Sequence, residues 1–150
     1  MPITKEEVAE AVREWCEAWN TRDIQTIIAM EAQSGGFGYR ALARRDHAAL
    51  GDETYWQQRL EQFFGRMEYF GCKLEDLQTS VTGDTGAAWG LLIEEFQEKG
   101  RPPERSRVRL SLVLTKGARG WQVLLYHRDI QPFNDDGSYP RALTVVSSAT

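Results

Sequence analysis

His127, Arg128 and Asp129 are three adjacent ionisable side chains that close an alternating apolar run beginning at Trp121. An extended strand sends successive side chains to opposite faces. On that pattern His127 and Asp129 continue the face of Trp121, Val123 and Leu125, whereas Tyr126 and Arg128 continue the face of Leu124. The first face ends in a pair able to move protons and the second in a pair able to hold an anion, so either could line a ligand cavity. The competing reading is a strand that runs out into solvent, where charged side chains are expected.

On the preceding run Arg109 and Ser111 share one face, and a tight hairpin brings Arg128 near them. Two guanidiniums in an apolar cavity favour a carboxylate ligand, because the planar fork matches it bidentately. Alternatively, Arg105, Arg107 and Arg109 form a solvated stripe paired with Glu94, Glu95 and Glu98 across a hairpin. Ser34–Arg40 is glycine-rich but lacks the lysine of a phosphate loop; it reads as a short strand or bulge in which Phe37 and Tyr39 share a face. Cys16 and Cys72 have no zinc-type spacing and suggest no disulfide framework, so both read as small buried residues. No cofactor or metal motif emerges.

The elements that must position these groups follow from periodicity. A chain of 150 residues, 41% hydrophobic, fits one domain with a real core. Its net charge of -4 and pI near 5.3 argue against a nucleic-acid-binding face. The N-terminus is acidic where a signal peptide is basic, and no apolar run approaches a membrane span, so a soluble cytoplasmic protein with no membrane partner is expected.

Thr4 and Glu7 form a capping box, and Val8, Val12, Trp15 and Trp19 recur on one helix face, which predicts a helix over 4–19. Asp23 caps a short second helix with Ile24, Ile27 and Ile28 as its stripe. Trp56, Leu60, Phe63 and Met67 predict a third helix over about 52–70, whose aromatic stripe reads as core before it reads as a cofactor box. From Lys73 the period changes, and four runs at about 73–82, 86–98, 105–116 and 120–131 are separated by turn residues, as in consecutive antiparallel hairpins. The domain is expected to span 1–131, with 132–150 a loop and loosely held tail.

Three helices followed by a long meander predict an α+β fold in which helices cover the concave face of a curved antiparallel sheet. That order, with the Trp19-Asn20-Thr21-Arg22-Asp23 junction, the Val81–Ala88 hairpin and Gly120-Trp121-Gln122-Val123 leading to Tyr126-His127-Arg128, resembles the nuclear-transport-factor-2-like superfamily. The superfamily includes SnoaL-like polyketide cyclases, ketosteroid isomerases and the association domain of calmodulin-dependent kinase. The resemblance implies a cone with an internal pocket, assembled as a homodimer through the sheets.

It also implies site roles. The kinase association domain is similar in carrying an arginine just after its final histidine and a basic residue on the neighbouring strand, which carries over to Arg128, with Arg109 as substitute for the second. SnoaL-like cyclases are similar in using an acidic residue near the final strands as base, for which Asp129 with His127 is available. Ketosteroid isomerases place a tyrosine on the first helix, where this chain has Trp15 and Trp19, so steroid isomerisation is not expected. Tyr126, Tyr39, Trp56 and Trp89 are the aromatic candidates for a pocket lining. The reading is a SnoaL-like protein that binds a small anionic or aromatic compound, with isomerase, cyclase or hydrolase-type chemistry open; the alternative is a non-catalytic dimeric association module. A deep cavity with converging Arg128, Tyr126 or Tyr39 favours a ligand, and one filled by Trp56, Phe63 and Trp89 favours association.

Overall fold

Thr4 opens helix α1 (Lys5–Asn20). Its hydroxyl accepts from the Glu7 N–H at 3.1 Å, and the Glu7 carboxylate accepts from the Thr4 N–H at 2.7 Å. The Thr4 backbone N–H first, and its side chain second, hold the Glu7 carboxyl below the ordinary carboxylate range. Asp23 accepts from the Thr26 N–H at 3.2 Å at the start of α2 (Ile24–Glu31), and Asp52 accepts from the Tyr55 N–H at 3.1 Å at the start of α3 (Glu53–Gly65). The computed structural model describes residues 2–31 and 52–132. The glycine-rich stretch with Phe37 and Tyr39, and the tail beyond residue 132, lie outside them.

Helix α3 is shorter than the 52–70 that its periodicity predicts. The Arg66 carbonyl accepts from the Lys99 N–H at 2.8 Å and Met67 pairs with Glu98, so the strand ladder takes over where the apolar period still reads as helix. Tertiary pairing overrides local pattern here. Phe64, with Trp56 and Leu60, completes the buried stripe, while Met67 is buried as the first residue of a strand.

The four strands β1 (Met67–Thr82), β2 (Thr85–Glu98), β3 (Glu104–Gly117) and β4 (Gly120–Pro132) form one antiparallel meander in the order β1-β2-β3-β4. Register breaks bend it at Glu75/Gln78 on β1 and at Leu124 on β4, where Val113 pairs with Leu125 but Leu114 pairs with Val123. The helices pack on the concave side. Val8 lies so close to β2 that a Cβ on Gly86 would meet its Cγ2 at 2.4 Å, which is why only glycine fits beneath the helix.

Asn20 ends α1 and fixes its position on edge strand β1. Its side-chain amide donates to the Cys72 carbonyl at 2.9 Å and accepts from the Cys72 N–H at 2.6 Å, as a neighbouring strand would. Backbone groups on a sheet edge are otherwise open to solvent or to another chain.

Candidate functional site

The bulge at Leu124 decides what reaches the concave side. One extra residue in a strand reverses the facing of everything beyond it. Val123 points inward before the bulge; after it Leu125 points outward and Tyr126 and Arg128 point inward. Thus Trp121 and Val123 share the face of Tyr126 and Arg128, not that of His127 and Asp129 as strict alternation predicts.

The inward residues line a cavity of about 470 Å³ between helices and sheet. Trp15, Trp19 and Phe63 come from the helices, and Phe70, Cys72, Leu92 and Phe96 from β1 and β2. Trp19 meets Phe63 edge-on at 6.0 Å and Phe70 at 6.1 Å, and Trp15 sits 5.5 Å from Tyr126 between ring centres. Such aromatic walls are rigid and present both apolar faces and polar edges. Glu98, Glu104, Arg105 and Ile130 line its more exposed part.

Polar chemistry inside is concentrated on one cluster. Arg128 Nη2 donates to Glu94 Oε2 at 2.7 Å, and Nη1 donates to the Tyr126 hydroxyl at 3.3 Å. Ser106 Oγ lies 3.5 Å from the same Glu94 oxygen. The side chains of Arg128 and Glu94 are 22% and 6% exposed, so the pair is largely desolvated. Burial by itself would lower the Arg128 pKa, but Tyr126 and Glu94 outweigh it and hold the guanidinium above its ordinary value. The cluster therefore presents a fixed cation, a carboxylate and a phenol to the cavity, which together can donate to an oxygen and accept from a hydroxyl or an acidic C–H.

The other sequence candidates lie elsewhere. Asp129 and Arg109 form an ion pair with each other on the outer face, where their strands are in register. His127 is exposed beside Ser111 on that same face. The bulge carries His127 and Asp129 away from the cavity, and the alternation of β3, which turns Val108, Leu110 and Leu112 inward, carries Arg109 away. Arg109 and Arg128 therefore do not meet in the pocket. Arg105 pairs with Glu95 at 3.2 Å, as the solvated-stripe reading has it, but Glu94 turns inward to Arg128. Trp89 is 45% exposed on the outer face, whereas Trp56 is buried in the core and does not line the cavity.

Two features escape a reading of the sequence. Glu94 is the buried acid of the site, yet Trp89, Leu91 and Ile93 make the other face of its strand equally apolar, so its facing is not evident. Cys16 and Cys72, 56 residues apart, meet with their sulfurs 3.3 Å apart. Among the described residues no group of three or more His, Cys, Asp or Glu is placed to hold a metal ion, and no helix is long and apolar enough to cross a membrane.

Helices over a curved meander, enclosing a cone with one polar cluster, define a nuclear-transport-factor-2-like domain. Residues 8–130 match the family model described as the SnoaL-like domain, and the chain belongs to that family. No curated protein matches it significantly. Solved structures with a similar fold include an NTF2-like superfamily protein from Salmonella enterica serovar Typhimurium, at 14% identity and a TM-score of 0.63 over 87% of this chain and 92% of that one. An NTF2-like protein of unknown function from Pseudomonas putida KT2440 is 20% identical, with a TM-score of 0.61 over 91% and 92% of the two chains. The S. rosetta CaMKII hub is 18% identical, with a TM-score of 0.59 over 87% and 99%. At these identities the likeness concerns the fold.

Proposed function

We propose that this SnoaL-like domain binds a small aromatic compound end-on in its conical pocket, with the compound's polar group placed against Arg128, Glu94 and Tyr126. The observation that carries the reading is the largely buried Arg128–Glu94 pair set in an aromatic-walled cavity of about 470 Å³. That volume falls within the roughly 300–1,000 Å³ typical of small-molecule sites, where a few polar groups orient an otherwise apolar ligand. Because Glu94 already balances Arg128, a neutral head that both donates and accepts, such as a phenol, enol or amide, fits better than the carboxylate that two arginines would favour. A second anion beside Glu94 meets like-charge repulsion in a poorly solvated site. Proton transfer next to a carbonyl, as in an isomerase or cyclase, is the chemistry the cluster would serve, with Glu94 as base and Arg128 and Tyr126 as donors to the oxyanion.

The test is calorimetric titration of 2-naphthol, 2-naphthamide and 2-naphthoate against wild type, Arg128→Met and Glu94→Gln. The expected result is tighter binding of the neutral compounds by wild type, with naphthoate gaining on them in Glu94→Gln. Naphthoate binding best to wild type and losing that preference in Arg128→Met would restore the carboxylate reading. If none of the three binds at millimolar concentration, the ligand reading fails.

A second reading rests on a separate observation. Trp89, Leu124 and Leu125 are between 43% and 45% exposed on the sheet. An apolar patch on a sheet face is a common site of self-association. We propose that two copies pair through this outer face, an arrangement that leaves the pocket free.

A further inference from the structure

Only two cysteines occur in this chain, and the fold brings them face to face across the boundary between α1 and β1. Besides the 3.3 Å contact between sulfurs, Cys16 Sγ lies 3.8 Å from the Cys72 carbonyl oxygen, and Cys72 Sγ lies 3.6 Å from the Cys16 carbonyl oxygen. The backbone beside them is tied down by the two bonds from Asn20 to Cys72. Cys16 is buried, whereas Cys72 is partly exposed and lines the cavity, so a small reagent entering the cone meets the pair from the Cys72 side.

We propose that Cys16 and Cys72 form a redox-active dithiol in the pocket wall, which a small hydroperoxide such as hydrogen peroxide converts to an intramolecular disulfide joining α1 to β1. A disulfide needs a sulfur separation of about 2.05 Å, so the 3.3 Å contact must close by roughly 1.2 Å. The chemistry balances without any further reagent. One thiol gives up its proton, its thiolate attacks a peroxide oxygen, the O–O bond breaks, and the departing hydroxide takes up that proton as water, leaving a sulfenic acid. The second thiol attacks that sulfur and the S–OH bond breaks, releasing a second water, so hydrogen peroxide is reduced by two electrons and the two thiols are oxidised by two.

The shared proton favours an asymmetric start. The hydrogen bond between the two sulfurs holds the Cys16 thiol below its ordinary value against the opposing effect of burial, while the same bond and burial push Cys72 up. The bland alternative is a packed pair whose thiols merely satisfy each other. Geometry distinguishes the pair from an ordinary buried cysteine, because a resolving partner already waits beside each sulfur and one of the two faces a solvent-connected cavity. The proposal is independent of which ligand the cone accepts.

The experiment treats the intact folded chain with hydrogen peroxide at neutral pH and follows its mass, free thiols and thermal midpoint. The expected result is a loss of 2 Da, a fall from two titratable thiols to none, restoration of both by dithiothreitol, and a midpoint raised by roughly 10 °C, since the bridge closes a loop of 56 residues. Cys16→Ser and Cys72→Ser each abolish the 2 Da loss while keeping one thiol, and Cys16→Ala serves where serine disturbs packing. Gains of 16 or 32 Da on wild type without the 2 Da loss overturn the proposal. So does a native protein whose thiols survive peroxide that oxidises the urea-unfolded chain.

Discussion

Breaking the Arg128–Glu94 pair from its two ends should have unequal effects. Arg128→Met keeps much of the side-chain stem but leaves the Glu94 carboxylate, 6% exposed, without its cation and with the Ser106 hydroxyl 3.5 Å away. An unbalanced charge at such a site costs about 3–5 kcal/mol. Glu94→Gln keeps an acceptor for the guanidinium, and Arg128 is 22% exposed and retains the Tyr126 hydroxyl at 3.3 Å. A lost charge-assisted bond whose partner keeps some solvent access costs about 1–3 kcal/mol. The double variant carries no stranded charge, so its loss should fall short of the sum by more than about 0.5 kcal/mol and up to about 3 kcal/mol, the range found for contacting groups.

Urea denaturation read by tryptophan fluorescence and far-ultraviolet dichroism supplies all four stabilities, provided that protein concentration is held constant against any effect of assembly. The reasoning is refuted if both single variants lose less than about 1 kcal/mol, or if the losses add within about 0.5 kcal/mol, the spread seen for independent sites. Either result would mean that water, and not Glu94, neutralises Arg128. The polar cluster would then have no fixed geometry with which to orient a ligand.

Trp56→Ala should cost about 3–5 kcal/mol in the same denaturation assay, because this ring is 6% exposed within the core; a loss under about 1 kcal/mol would contradict its burial. Gly86→Ala should destabilise by about 1–3 kcal/mol through the clash with Val8, and Val8→Ala in the same chain should remove most of that extra penalty. Light scattering should give twice the monomer mass of 17.1 kDa for wild type and a monomer for Trp89→Asp with Leu125→Asp, whereas a monomeric wild type rejects pairing through the outer face. Glu7 has a folded pKa below its unfolded one, so its contribution is present above the unfolded carboxylate value and lost as pH falls through the folded value. Glu7→Gln, which preserves the cap, should flatten that acid limb; an unchanged limb in acid denaturation shows the cap to be uncoupled from folding.

The helix starts were legible because capping chemistry is local: Thr4, Asp23 and Asp52 each accept the backbone bond that their positions suggest. The meander was legible for a similar reason, since turn residues and a change of period mark it. The end of α3 was less so, because Phe63 and Met67 keep the helical period while the bond from Lys99 to Arg66 draws the chain into the sheet. Nor could spacing reveal the meeting of Cys16 with Cys72, which depends on Asn20 holding α1 against an edge strand.

The bulge at Leu124 had the largest effect on the reading of the site. Period-2 alternation places Tyr126 with Arg128 and His127 with Asp129 correctly relative to each other, yet the apolar residues that reveal the inward face, Trp121 and Val123, precede the extra residue. Extrapolated through it, the pattern puts His127 and Asp129 on the face of Trp121 and Val123; with it, that face continues into Tyr126 and Arg128, which line the cavity. Nothing in Val123-Leu124-Leu125 advertises an insertion, since all three are apolar. The signal lies instead in the partner strand, where Leu110, Leu112 and Leu114 alternate without a break and must face the helices throughout. Aligning β4 on that unbroken strand requires one residue to be skipped for Val123, Tyr126 and Arg128 to share its inner face. The choice between an outward proton-transfer pair and an inward cationic one therefore follows from strand pairing and not from the composition of β4 alone.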